Sequence, residues 1–341
     1  MGAPSKTVQV ALVCLMAAVV PVARGLEANA ATRIASAATL MSLDLVDQKP
    51  WHLKLGVTIF DQDGKNPNQG TIEVWQAGAD QRTVYTFGNS ASTVVRHAGE
   101  SHVVSSGSSL PLEVEEVQQQ VLSTGPRVSD LSESTPEIRK RKFGTAQLEC
   151  IMLTERFKGT EFAPLGLYPT YCLDADNLIR VSYSFGSHTV LFNGIGEFLG
   201  HKIPTQLEIQ NDKAIIATAK VATLATYVPQ PGDFLPAVDM KEAHGMVGIS
   251  AGANSGHRLK FVQPVYPQTM KEQHMSGTVT MRAIIERDGH IFSLSPVNAA
   301  NPDFVISAIA AVRQWTYTPY LLNGEPTAVV TTITVNFALS Q

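Results

Sequence analysis

A serine flanked by glycines, Gly248-Ile249-Ser250-Ala251-Gly252, spells the pattern of a nucleophile elbow. That chemistry needs the serine on a sharp turn between a strand and a helix, where its hydroxyl stands clear of the backbone. Here the pentapeptide sits in a glycine-rich stretch without apolar periodicity, so a chance match is expected. Gly194-Ile195-Gly196 with Gly200 has the glycines of a dinucleotide loop at the wrong spacing and with no helix after them. Asp61-Gln62-Asp63-Gly64 has the carboxylates of a calcium loop, but its glycine is displaced and Ile72 stands where the bidentate glutamate belongs. Nine histidines are scattered, with no H-E-x-x-H and no cysteine at zinc spacing; His188 and His201 are the two that strands could bring together. No carboxylate pair or triad can be argued from spacing. The expectation is a non-enzymatic protein with no catalytic residue, no cofactor and no metal.

The N-terminus has the features of an export signal. Lys6 gives a positive start, and 8–23 is apolar except for Gln9 and Pro21. Small residues follow in Ala23-Arg24-Gly25 and Ala28-Asn29-Ala30, two sites for cleavage. Residues 1–30 are therefore expected to be a signal peptide, with an uncleaved anchor as the alternative. Cys14 lies inside the apolar stretch without the small residues of a lipobox, so lipid attachment is not expected. Removing this segment leaves Cys150 and Cys172. An even count in an exported chain permits a disulfide between them, and two separate thiols are the other reading.

The 341 residues suffice for two domains, each with its own core. Apolar content of 44% and charged content of 16% are those of a folded protein. A net charge of −4 argues against nucleic acid as a partner. The elements that would position any site alternate with a period of two. A helix is expected over 27–45. Trp51, Leu53, Leu55, Val57 and Ile59 then alternate with polar or small residues, a half-buried strand. Strands are expected at 71–76, 82–87, 93–97 and 102–105, an antiparallel meander. A helix at 111–122 interrupts it, and Arg139-Lys140-Arg141-Lys142 reads as a solvated turn. Strands resume from 147 to 224. Residues 229–257, rich in proline and then glycine, read as a flexible linker. The expected fold class is α+β: a curved antiparallel sheet domain with an inserted helix over 31–228, the linker, and a small α+β domain over 258–341 with a three-stranded antiparallel sheet and two helices.

The tail carries the sharpest pattern. Tyr266-Pro267 opens a short helix and Gly277 starts a strand containing Val279. Asp288-Gly289 turns a hairpin. Asn301-Pro302 caps the next helix, which holds Ala308 and Ala311 and ends at Trp315. Pro319 and Asn323-Gly324 lead to a β-branched strand closing at Phe337. This series resembles the C-terminal domain of the TonB family across about 80 residues. The resemblance implies that an extended segment of an outer-membrane or periplasmic protein adds to the edge of the sheet. The last strand is the expected recipient, with Thr327, Val329, Thr331, Ile333 and Val335 as partner-binding residues. It also implies the bacterial envelope as location; the signal peptide makes that periplasmic or secreted, and an uncleaved N-terminus would make it inner-membrane anchored and facing the periplasm. An anchored energy transducer is the alternative function. The short linker and the absence of the family's serine and histidine pairing from the N-terminal stretch depart from that pattern.

The helix, the curved run of strands and the inserted helix also resemble the half-barrels of LolA and LolB lipoprotein carriers. That resemblance implies a face that holds a lipid or acyl chain. Trp75, Tyr85, Phe87, Leu112, Ile151, Phe185 and Phe192 are the candidates to line it, and each has a plain reading as a core residue. The oligomeric state is not legible.

Overall fold

The computed structural model describes residues 20–44, 49–127, 130–131, 134–155, 163–185, 188–243, 245–250, 258–298 and 300–339, without the side chains of 20–28 and 155. Most of the expected signal peptide lies outside these residues. A helix, α1 (Val20–Leu40), is followed by β1 (Trp51–Ile59), β2 (Asn68–Ala77), β3 (Asp80–Phe87), β4 (Ser90–His97) and β5 (Glu100–Ser106). Next come α2 (Leu112–Leu122) and then β6 (Ser134–Phe143), β7 (Ala146–Glu155), β8 (Thr170–Leu173), β9 (Ile179–Ser184), β10 (His188–Phe198), β11 (His201–Asn211) and β12 (Ala214–Thr226). No helix among the described residues is long and apolar enough to cross a membrane.

Short hairpin loops dictate the sheet. β4 and β5 are joined through Ala98 and Gly99, β10 and β11 through Leu199 and Gly200, with φ of 51°, 85°, 49° and 84°. Two positive-φ residues give the turn whose twist matches antiparallel strands, so sequence neighbours become sheet neighbours. The result is two meanders, β1 to β5 and β6 to β12, joined side by side where β1 pairs with β12 from Trp51↔Thr226 to Ile59↔Ala217. α2 forms part of the crossover from one edge to the other. With the short β13 (Lys241–Glu242) the sheet has 13 strands, order β13-β5-β4-β3-β2-β1-β12-β11-β10-β9-β8-β7-β6. The basic run 139–142, expected as a turn, lies within the edge strand β6. Lys140, Arg141 and Lys142 are exposed there, and charges on an edge oppose pairing with other chains.

One face of the sheet is buried under both helices. The alternation in β1 buries Trp51, Leu53, Leu55, Val57 and Ile59. α1 presents Ala30, Ile34 and Ala37, with Met41 just past its end, and α2 presents Val114, Val117 and Val121, to the same cluster. Those helical spacings make one apolar stripe per helix.

The C-terminal part follows as β14 (Val247–Gly248), β15 (Arg258–Lys260), α3 (Gln268–Glu272), β16 (Gly277–Ile285), β17 (Ile291–Pro296), α4 (Pro302–Val312), β18 (Thr316–Tyr317), β19 (Leu321–Leu322), β20 (Glu325–Pro326) and β21 (Val329–Phe337). The antiparallel trio β17, β16, β21 is the expected one, with α4 against it. β14 adds a fourth strand, parallel to β21. The Asn301 side chain accepts from the Asp303 N–H at 2.9 Å with Pro302 behind it, as the capping pattern requires.

The segment 229–257 is not a free tether where it is described. β13 pairs with β5 of the large sheet, and β14 pairs with β21 of the small one. The small domain also shares its core with the large one: Met152, Ala163, Leu167 and Tyr168 cluster with Met281, Phe304 and Trp315. Composition alone suggested flexibility because glycine and proline leave no side-chain pattern; the pairing uses backbone groups, which composition does not show.

Candidate functional site at the outer edge of the C-terminal sheet

β21 is bonded along one side to β16, from Gly277↔Phe337 to Ile285↔Val329. On the other side it meets β14 at Val247↔Val329 and Gly248↔Val330. The Val247 N–H donates to Ala328 O at 3.2 Å and the Ile249 N–H to Val330 O at 2.9 Å. The Thr331 hydroxyl donates to Ser250 O at 3.4 Å. Among the described residues no strand covers that side of 332–337. In an extended strand, backbone groups alternate sides as side chains alternate faces. Since Val330 faces β14, the backbone groups of Thr332, Thr334 and Asn336 face the open edge. Their side chains are half-buried or exposed.

The sequence-named residues of this strand have the other parity. Val329, Thr331, Ile333 and Val335 are buried, with their backbone groups toward β16. Thr327 lies just before the strand, its N–H bonded to Tyr320 O at 2.8 Å. The edge-facing set is Val330, Thr332, Thr334 and Asn336. The alternation of threonine and asparagine with aliphatic residues over 332–337 is the signal that separates the two sets.

The residues that mark the tail in sequence hold this sheet in place. Tyr266 meets Phe304 and Phe337 edge-on, with ring centroids 5.7 and 5.8 Å away. A Cβ on Gly277 would lie 2.7 Å from the Phe304 ring. Gly289 has φ +93°, and a Cβ there would fall 1.8 Å from Tyr317 O. Trp315 is buried, with its indole N–H bonded to Val262 O at 2.8 Å. Ala308 and Ala311 are buried on α4. Every one of these positions is explained by packing or turn geometry in this arrangement of sheet and helix. Residues 262–339 match the Gram-negative bacterial TonB protein C-terminal family. The match spans under a quarter of the chain. No curated protein matches the chain.

Similar solved structures include a DUF1329 family protein from Desulfovibrio piger, 13% identical with a TM-score of 0.36, covering 60% of this chain and 94% of that one. A LolA superfamily protein from Nitrosomonas europaea is 10% identical with a TM-score of 0.36, covering 61% and 97%. MucB is 13% identical with a TM-score of 0.30, covering 64% and 65%. These are likenesses of general form.

The candidate ligand-facing residues of the large domain do not share one open face. Tyr85, Phe87, Ile151 and Phe192 are buried in the cluster beneath α1 and α2, and Leu112 is buried at the first position of α2 itself. Trp75 is on the opposite face of the sheet, stacked on His52 at 4.6 Å with Arg82 5.4 Å from its ring. Phe185 lies away from both, beside a cavity of about 150 Å³ where His188, Ile291, Ile309 and Arg313 also meet. The two histidines proposed as neighbours stand at opposite ends of the β10–β11 ladder, His188 opposite Asn211 and His201 opposite Phe198.

The TonB C-terminal-like domain is clamped to the large domain at the N-terminus of α2. Pro111 provides no side-chain cap there. The Glu286 carboxylate, at the end of β16, accepts the Leu112 N–H instead. Arg287 donates to Leu110 O at 2.8 Å and to Glu115 at 3.1 Å. Arg313 at the end of α4 pairs with Asp212. Burial pushes the Glu113 carboxyl up to about 7, helped by the charge of Glu286. Burial also raises Glu286, against the hydrogen bonds it accepts from Leu112 and Arg287. His188 bonds Glu116 at 2.7 Å and Asn211 at 2.8 Å. Burial opposes its charge, but the Glu116 carboxylate outweighs that and holds it up at about 9.

This clamp gives a direct test. Glu286→Ala removes the cap of α2 and is expected to cost about 1 kcal/mol in urea unfolding, the usual size of a lost helix cap. Glu286→Gln keeps an acceptor oxygen and should retain most of that stability. Equal losses in both variants would show that the carboxylate does not act through the cap.

Proposed function

We propose that this is an exported binding protein of the cell envelope whose TonB C-terminal-like domain docks a partner protein by strand addition on the open edge of β21. The observation that carries this is the run 332–337, where edge-facing backbone groups stand beside no other strand among the described residues. Backbone pairing supplies affinity in such docking, and alternate side chains supply choice. Of the large domain's apolar candidates, Tyr85, Phe87, Ile151 and Phe192 lie under α1 and α2, so an acyl chain would have to displace a helix to reach them.

The alternative of an anchored energy transducer needs the C-terminal domain to reach away from the rest of the chain. The shared core around Tyr168 and Trp315, the clamp at Glu286 and the two linker strands all oppose that. At the elbow-like motif, Gly248 ends β14 and the Ser250 carbonyl accepts the Thr331 hydroxyl, so this stretch runs along the edge of β21. Ala251 and Gly252 lie outside the described residues.

Site-specific photo-crosslinking of the full chain in envelope preparations tests the docking. Probes at Thr334 and Asn336 should give a discrete protein adduct, and a probe at the remote, exposed Asp176 should not. Thr332→Pro, which removes an edge-facing N–H without touching the ladder to β16, should abolish the adduct. Adducts of equal yield at Asp176, or none at the edge, would refute the proposal.

A further inference from the structure

The open edge of β21 is shortened by the chain itself. Residues 247–250 run parallel to β21 and take the edge groups of Ala328 and Val330. Val247 and Ile249 turn toward the small domain and pack on its core, while Gly248 and Ser250 are exposed. A Cβ on Gly248 would meet nothing within 4 Å, so that position places no demand on its side chain. The segment is held close by: β13, paired to the large sheet, ends at Glu242, and β14 begins at Val247. Its geometry is that of an added strand, made in cis with few bonds.

We propose that 247–250 is a built-in occupant of the acceptor edge, which a partner strand replaces, and that its sequence states what the edge accepts. The partner segment runs parallel to β21, is uncharged, and carries apolar side chains at two alternate positions with an unrestricted residue between them. The edge-facing residues Val330, Thr332, Thr334 and Asn336 are uncharged, which suits such a segment. The inference rests on reading β21 as an acceptor edge.

A segment tethered this closely competes at an effective concentration on the order of millimolar. Where the segment by itself holds the edge at about 100 µM, an incoming peptide is then weakened on the order of tenfold. The test uses a fluorescent peptide with the sequence of residues 245–251, titrated into the full chain. Val247→Pro with Ile249→Pro removes both donated N–H groups and should expose the edge. The peptide is expected to bind this variant on the order of tenfold or more tighter than the wild type. The same peptide with aspartate in place of both apolar residues should bind neither. Hydrogen exchange at β16 amides reports whether the domain stays folded, and Val247→Asp with Ile249→Asp provides a second opened form without proline. Equal binding by wild type and both folded variants, including none by any, overturns the proposal. If the opened edge binds this peptide but the crosslinks at Thr334 and Asn336 find no protein, the docking reading fails and this one stands.

Discussion

Replacing Cys150 and Cys172 together with alanine is expected to cost about 3 kcal/mol of stability. The two residues sit directly opposite each other on β7 and β8 and form a disulfide that spans 22 positions of sequence. In the chain-entropy account a cross-link of that span restricts the unfolded chain by about that amount. Both sulfurs are buried against Leu148 and Val181, so a reduced pair also leaves a poorly filled site. The loss has a route to the C-terminal sheet. The loop closed by the disulfide contains Ala163, Leu167 and Tyr168, which complete the core of the TonB C-terminal-like domain. Denaturant midpoints of the oxidised protein, the reduced protein and the double variant check this. The last two should fall together, and a loss under about 1 kcal/mol in both would contradict the cross-link's role.

Raising the pH from about 4.5 to 9 is expected to destabilise the protein steadily. Glu113 has its folded pKa raised to about 7 from an ordinary 4.5. The folded state therefore holds a proton that the unfolded state gives up. Its contribution is fully present below pH 4.5 and is lost as pH rises to about 7. At about 1.4 kcal/mol per pKa unit the loss is up to about 3 kcal/mol. Glu286 shifts in the same direction and adds to it. His188, held at about 9 against an ordinary 6.5, extends the decline over that window. Glu73 and Asp61 have lowered values, so their opposite contributions appear only below about pH 4.5. Thermal midpoints should fall from pH 5 to pH 9. Glu113→Gln should flatten the decline below pH 7, and His188→Gln the decline above it. A wild-type midpoint that stays level from pH 5 to 7, or a Glu113→Gln slope equal to wild type, would refute the assignment.

Much of this fold can be read along the chain because its strands are amphipathic and its hairpins short. Alternation places Trp51, Leu53 and Leu55 on one face, and short hairpin turns make sequence neighbours into sheet neighbours. The capping of α4 by Asn301 and the tight sites of Gly277 and Gly289 are local too, and the tail's resemblance rests on them. β6 escaped notice because four successive basic residues have no apolar alternation; an edge strand needs none. β14 escaped because two residues make no period.

β21 shows where sequence stops. Residue order alone determined that β21 is a strand, that it ends the chain's last domain, and that its residues fall into two alternating sets. Only the tertiary structure decided which set faces outward, since that depends on the side from which α4 and β16 approach. It also decided that the start of the edge is already taken by 247–250, and that a second core is shared between the domains. Backbone hydrogen bonds make those last arrangements, and every residue but proline has the same donor and acceptor to offer.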